Sequence, residues 1–486
     1  MAEIIVFLFL IQFIIMLLVI MIVRYYRFRP HESSDTESYI PHEDITGAEK
    51  LSRAVQLKTI SHMDGTQTDW EEFLEFHRLL EEMFPLVHQY CERTVINEYS
   101  LVYHWKPEAQ PEQGPMLITA HMDVVPVEDG TQKDWKQDPF SGRIEDNMVW
   151  GRGTLDVKVH LIAAMEAMER LIREGVTPKR DIYLAFGHDE EINGEEGARK
   201  IAAYFLQQEI HFDFVLDEGG CAATHLLEGI DRPIALIGVG EKGYANIRLT
   251  VTKDGGHSSM PDKNTSLGIL AQAICRVERN PCRSKLIPAV REFLMRIGPH
   301  MRGLNRLILS NLWIFKPVFL SVFSKMNSGN ALLRTTIAVT MAKGGPAPNV
   351  IPQMASAMIN CRILPGETGE ELIAHLKKTL TGLDVTIEPV VLDEPSKLSS
   401  VAVPQYRQIE QLAKWFCDNC IAAPYLVMAG TDARKYEVVC DQIYRFTPYM
   451  IDQSELNKIH GTNENITIQN VNRCIDFFMQ LYRSEQ

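Results

Sequence analysis

Residues 4–23 read IIVFLFLIQFIIMLLVIMIV, and Gln12 is the single polar position among them. Twenty helical residues rise about 30 Å, the hydrocarbon thickness of a bilayer. The run is preceded by Glu3 with no Lys or Arg, and no small-residue cleavage pattern follows it. It therefore predicts an uncleaved transmembrane anchor rather than a signal peptide. Residues 30–44 (PHESSDTESYIPHED) are acidic, Ser-rich and bounded by proline, which predicts a solvated stalk.

From about residue 45 the rhythm changes. Apolar runs alternate with amphipathic stretches, the signature of an α/β architecture. Three apolar runs end in acids or histidine. MLITA (116–120) runs into His121 and Asp123. DIYLAFG (181–187) runs into Asp189, Glu190 and Glu191. FDFVL (212–216) runs into Asp217 and Glu218. Ligands in open α/β sheets sit beyond the carboxyl ends of the strands, so three such ends predict one site.

A second rhythm occupies 243–392. ANIRLTVT (245–252) alternates cleanly, with Ile247, Leu249 and Val251 on one face. A helix over 267–278, strands near 335–343 and 355–364, a helix near 369–381 and a strand near 384–391 follow. The order β-α-β-β-α-β is that of a ferredoxin-like split fold. It interrupts a first domain that resumes near 393–400. Within it lies an apolar insertion, LNRLILSNLWIFKPVFLSVF (304–323), which Lys316-Pro317 should break into two short amphipathic pieces. It reads as lid core, as a dimer contact, or as a wall for a long acyl chain.

Charge narrows the function. Asp plus Glu number 63 against 49 Lys plus Arg, a formal net charge of −14. No basic stretch offers the phosphate neutralisation that nucleic-acid binding needs. Converging carboxylates can instead hold metal ions. The nine cysteines are scattered, so they form no disulfide framework, and Cys417 and Cys420 read as two helix-borne thiols. Arg24, Arg27 and Arg29 after the apolar run place the body in the cytoplasm by the positive-inside rule. Sequons at Asn264 and Asn465 point to the other side. The chain reads as a single-pass membrane protein whose orientation stays open.

The candidate chemistry starts at His121-Met122-Asp123. On an extended segment the first and third residues face one way. Asp123 can then accept one imidazole N–H while the other nitrogen binds a metal. Gly151-Arg152-Gly153-Thr154-Leu155-Asp156 presents a carboxylate near a helix start, where it can bridge two cations or simply cap the helix. Of the adjacent Glu190 and Glu191, one can bind metal while the other takes a proton from water. Asp217 and His460, in NKIHGTNENI, would complete the shell. Carboxylates and imidazoles without thiolates suit zinc, and also Mn²⁺ or Co²⁺.

HMDVVPV, DWKQDPFSG, GRGTLD, GHDEE, VLDEGG, GHSS and IHGTNE occur in the order and spacing of the di-zinc aminoacylase and carboxypeptidase family, peptidase family M20. Over roughly residues 45–482 the chain resembles that family's carboxypeptidase S and N-fatty-acyl-amino-acid synthase/hydrolase branch. The resemblance implies a zinc-peptidase-like catalytic domain (45–242 and 393–486) with an inserted α+β lid or dimerisation domain (243–392). It implies two Zn²⁺ per chain: one on His121, Asp156 and Asp217, the other on Asp156, Glu191 and His460. It makes Glu190 the general base and Asp123 the residue that orients His121. It gives His257, in GHSS, to the oxyanion, in some members across a dimer. It gives Asn349 and Arg434 to the substrate, Arg434 to its carboxylate. Val157-Lys158-Val159-His160 departs from the family pattern, with all presumed ligands retained.

The sequence thus predicts a metal-dependent hydrolase of N-acyl amino acids, the acyl group a fatty one, able to run in reverse. A carboxypeptidase or dipeptidase acting on short peptides is the alternative within the class. A catalytically inactive membrane interaction protein is the alternative outside it.

Overall fold

A computed structural model describes residues 2–30, 39–40, 44–417 and 419–483. Most of the stretch read as a stalk lies outside the described residues. The chain forms two compact units. One comprises the N-terminal segment through Pro30, Gly240–Leu398 and Leu426–Gly430; the other comprises His31–Val239, Ser399–Tyr425 and Thr431–Gln486.

The larger unit is built on a 10-stranded mixed sheet. At its centre the strands Ile182–Gly187, Met116–His121 and Phe214–Asp217 are parallel neighbours in that order. Ile443–Arg445 continues the parallel set beside Phe214–Asp217. All six residues of Met116–His121 and of Ile182–Gly187 are buried. Their apolar runs are continuous because both faces of a central parallel strand are covered. One covering helix is Lys158–Arg173, whose Leu161, Ile162, Met165, Met168 and Leu171 are fully buried. The last helix, Ile468–Arg483, lies against it, and the Tyr482 hydroxyl donates to the Ala164 carbonyl at 3.3 Å. No disulfide occurs among the described residues.

The smaller unit holds a four-stranded antiparallel sheet. Its order is Thr336–Lys343, Met354–Ile363, Gly243–Thr252, Thr386–Asp393. Alternation along Gly243–Thr252 buries Ala245, Ile247, Leu249 and Val251 on one face. Ile269, Leu270, Ala273 and Val277 from helix Ser266–Arg279, and Leu372 and Leu376 from helix Gly369–Thr379, pack on that face. Both helices start at a threonine cap: Thr265 accepts the Gly268 N–H, and Thr368 forms a capping box with Glu371.

The insertion departs from its sequence reading. Its two helices are Gly303–Ser310 and Leu312–Phe323, so the break falls at Asn311 and Pro317 lies inside the second helix. Asn311 supplies the reason. Its side chain is buried and donates to the Leu307 carbonyl and the Ser310 hydroxyl, both at 3.0 Å, with its backbone out of helical geometry at φ −125°. A side chain that bonds its own preceding turn competes with helix continuation.

At the N-terminus one apolar helix, Ala2–Arg27, is long enough to cross a membrane. A membrane span and a signal sequence both fit a helix of that length and position.

Candidate metal centre

The parallel strands deliver their carboxyl ends to one place. His121 stands in register with Gly187, and the Met122 N–H donates to the Gly187 carbonyl at 2.8 Å. His121 is 1% exposed. Its Nδ1 lies 2.9 Å from the main-chain carbonyl oxygen of Asp123 and 3.4 Å from that residue's carboxylate. Donation to the carbonyl puts the proton on Nδ1 and leaves Nε2 free to act as a ligand, 3.1 Å from Asp156. The Asp123 carboxylate has other partners. It accepts the N–H of Glu190 at 3.1 Å, the N–H of Glu191 at 3.2 Å, and the Ser61 hydroxyl. The Asp123 carbonyl and carboxylate thus both lie beside His121 Nδ1, and the carboxylate also holds the Glu190-Glu191 turn.

That turn, Glu190–Ile192, is a single 3-10 turn closed by Asn193 at φ 92° and Gly194 at φ 64°. Gly194 is required by a close approach as well as by its backbone. A Cβ there would lie 1.9 Å from Oδ1 of Asp432. The GRGTLD segment presents Asp156 just before the helix that starts at Lys158, with a cis peptide between Asp156 and Val157. His460 arrives from the far end of the chain, half-exposed at φ 58°, with Nε2 3.0 Å from Asp156 and 3.3 Å from Glu191.

Among the described residues, three groups of donor atoms result, the atoms of each lying within 4.8 Å of one another: His121, Asp156 and Glu218; Asp156, Glu191 and His460; and His121, Glu190 and Glu191. Asp156 is shared by the first two. Asp217, chosen from the sequence as a ligand, is buried at the last position of its strand and belongs to none of these groups. Glu218, the next residue, is the one grouped with His121 and Asp156. Successive residues along a strand project to opposite sides, and Asp217 is the last strand residue while Glu218 follows it. The chain can then turn because Gly220 has no side chain: a Cβ there would lie 2.2 Å from the Leu236 carbonyl oxygen.

The electrostatics of these groups call for cations. Burial, with the charges of Asp432, Glu218 and Glu191, raises the Glu190 carboxyl well above the usual range, His121 opposing. Burial, with Asp156 and Asp217, does the same to Glu218. Glu191 is raised by burial, against its bond to His460, and its Oε1 is buried with no hydrogen-bond partner among the described residues. Burial also opposes ionisation of Asp156, yet its bonds to His121 and His460 hold it below the usual range. The same bonds, to Asp156 and Glu191, push His460 up to about 10. Several carboxylates thus converge here on two imidazoles. Divalent ions coordinated by this oxygen and nitrogen set would supply positive charge and satisfy the orphaned Oε1, so the residues fit a metal centre.

Arg434 lies on the 3-10 segment Asp432–Val438, with a guanidinium nitrogen 3.3 Å from the Asn193 side-chain oxygen, beside the Glu190 turn. His257 and Asn349 belong to the smaller unit and are neighbours there. Gly256–His257 pairs with Val350–Ile351, and the Ser258 N–H donates to the Asn349 carbonyl at 3.2 Å. The Ser259 hydroxyl lies 2.8 Å from His257 Nδ1.

Sequence reasoning passed over Glu464, although it stands in the quoted IHGTNE. It is fully buried. Its carboxylate accepts the N–H groups of Gly153, Leu155 and Asp156 at 3.1, 2.7 and 3.3 Å, and pairs with Arg152 at 2.7 Å. Arg152 also donates to the carbonyls of His460 and Gly461. This pair fastens the Asp156 loop to the His460 loop across about three hundred residues of chain. Glu464→Ala strands a buried guanidinium and three amide groups. The expected cost is about 3–5 kcal/mol, read as a lowered midpoint in urea unfolding monitored by circular dichroism.

Residues 117–484 match the family model described as peptidase family M20/M25/M40. The chain belongs to this family and is a metal-dependent amide hydrolase. It is 37% identical to a probable carboxypeptidase S-like protein 2 of Dictyostelium discoideum, covering 93% of this chain and 87% of that one. It is 32% identical to the mouse N-fatty-acyl-amino acid synthase/hydrolase PM20D1, covering 91% and 88% respectively. A metallo-carboxypeptidase of the same family from Sulfolobus solfataricus superposes with a TM-score of 0.66 over 90% of this chain and 99% of that one, at 19% identity. Metal ions, typically zinc, are a property of the family.

Proposed function

We propose that the protein hydrolyses the amide bond of N-fatty-acyl amino acids, and that the same site can run the reverse condensation. The observation that carries the reading is the pair of donor groups sharing Asp156, with Glu190 beside them. The lengthwise similarity to an N-fatty-acyl-amino acid synthase/hydrolase supports the acyl specificity.

Two Zn²⁺ per chain would be held by His121, Asp156 and Glu218, and by Asp156, Glu191 and His460. Bound there, the ions would supply Lewis-acid polarisation of the amide carbonyl and of the attacking water. Glu190 takes a proton from that water and returns it to the departing amine. Its raised proton affinity suits both halves of that task. Arg434 grips the substrate carboxylate through two parallel hydrogen bonds, Asn349 contacts the substrate, and His257 donates to the oxyanion. In this reading the helix Ala2–Arg27 stays on the chain as a membrane anchor, and the smaller unit provides a lid or a homodimer contact.

A series of N-acyl-phenylalanines from acetyl to oleoyl tests the substrate class. Each buried CH₂ contributes roughly 0.8 kcal/mol, so four added carbons should raise kcat/KM by roughly two orders of magnitude before saturation. The 37% identity to a carboxypeptidase S-like protein favours a second reading, release of C-terminal residues from short peptides. Dipeptides equalling or beating the long-chain substrates would establish that one instead.

A further inference from the structure

The first insertion helix of the smaller unit and Asn311 after it are bonded to the N-terminal helix. Arg306 donates to the Phe28 carbonyl at 2.6 Å, Arg24 donates to the Ser310 carbonyl at 3.0 Å, and Asn311 donates to the Met21 carbonyl at 3.2 Å. As the insertion advances from 306 to 311, its partner recedes from 28 to 21. Gly303–Ser310 therefore runs antiparallel to the N-terminal helix, climbing back along it. The guanidinium of Arg306 also sits over the Tyr25 ring, 4.9 Å from its centroid. Leu17, Met21 and Tyr25, one stripe of the N-terminal helix, and Phe28 just beyond it are partly covered, while the other described apolar side chains of the helix are exposed. Each arginine caps the other helix's carboxyl end, where a cation is favoured.

This pairing fixes the level at which the second insertion helix begins. Asn311 meets Met21, inside the apolar run that ends at Val23. Leu312–Phe323 thus starts within the apolar zone, about two residues or 3 Å from its edge. Every residue of this helix is at least partly exposed. At 100° per residue, Trp313, Ile314, Pro317, Val318, Ser321 and Val322 form one exposed stripe without a charge, and Lys316 falls on the opposite side. Trp313 is 52%, Val318 55% and Val322 59% exposed. An apolar patch this continuous on a folded unit marks an interaction surface.

We propose that Leu312–Phe323 lies in the headgroup–hydrocarbon boundary of the bilayer entered by the N-terminal helix, as a second membrane contact built into the smaller unit. Its length suits the role: twelve residues rise about 18 Å, too short to span but enough to lie along an interface. Trp313 is the residue type favoured at that depth. Arg27, Arg29 and Arg302 are exposed at or beyond the watery end of the N-terminal helix, where lipid phosphates lie. The smaller unit would thereby be held against the membrane through its own surface.

The proposal rests on retention of the N-terminal helix as an anchor, and the two are separable. Carbonate-resistant pelleting and N-terminal sequencing of the mature chain test the anchor. The insertion is tested by Trp313 fluorescence, taken as wild type minus Trp313→Phe, with the full-length protein in phosphatidylcholine vesicles carrying nitroxide lipids. The expected result is a blue-shifted Trp313 component that loses most of its emission to a shallow nitroxide, independent of protein dilution in lipid. In Val318→Asp/Val322→Asp the quenching should disappear while the protein stays in the vesicle pellet. A Trp313 component that is unquenched and water-like, or shielded only at high protein density as a second copy would shield it, overturns the proposal. A mature chain that begins beyond Phe28 overturns it as well.

Discussion

Glu190→Gln is expected to lower turnover by about 10²–10⁴-fold, the usual cost of losing a general base, with the two proposed metals retained. Glutamine keeps the shape and hydrogen-bonding reach of the side chain but cannot take a proton. The backbone of residue 190 is held independently of its side chain, because its N–H donates to Asp123. The turn should therefore survive the substitution. Glu190 shares a donor group with His121 and Glu191, yet is absent from the two groups that meet at Asp156. Zinc content by mass spectrometry of the native protein, beside kcat on an N-acyl amino acid, reads both halves. Near-normal turnover with metal retained would remove Glu190 from the role. Lost metal would make it a ligand.

Asp156→Ala should empty both metal positions and abolish activity, since one carboxylate serves His121 and Glu218 on one side and Glu191 and His460 on the other. Comparison with its neighbours sharpens the test. Glu218→Ala should lose one metal. Asp217→Ala should keep both, because its side chain belongs to neither donor group. Two zincs per chain in Asp156→Ala would reduce that residue to a helix cap. One zinc lost in Asp217→Ala, with two kept in Glu218→Ala, would restore the assignment first suggested by the motif.

The Asp217–Glu218 pair shows how far a motif reaches. VLDEGG identifies a strand running into two acids and a glycine turn, and those are local properties. Which acid faces the cluster depends on where the strand stops and which way its last residue projects. His121-Met122-Asp123 behaves similarly. Its spacing brings oxygens of Asp123 beside His121 Nδ1. The carboxylate also accepts from the backbone amides of Glu190 and Glu191 and from Ser61, none of them adjacent in sequence. Glu464 was invisible as a positioning residue because its partners, Arg152 and the amides of 153–156, lie more than three hundred positions away. In the insertion, Pro317 was the obvious breaker. Asn311 overrode it through bonds to its own helix and to the N-terminal one.

By itself the sequence determined the properties that short-range chemistry controls. These are the apolar N-terminal helix, the buried parallel strands written as unbroken apolar runs, the alternating strand of the smaller unit, and the residue types that gather around a metal. Periodicity and burial act over a few residues, so they are legible from one chain. Tertiary structure alone decided which atoms of those residues meet: Glu218 grouped with His121 and Asp156, the carbonyl and carboxylate of Asp123 together beside His121, Glu464 as the clasp between two distant loops, and the level at which the insertion breaks at Asn311 beside the N-terminal helix. Each depends on the direction of a side chain and on partners brought from far along the chain, which no local pattern encodes.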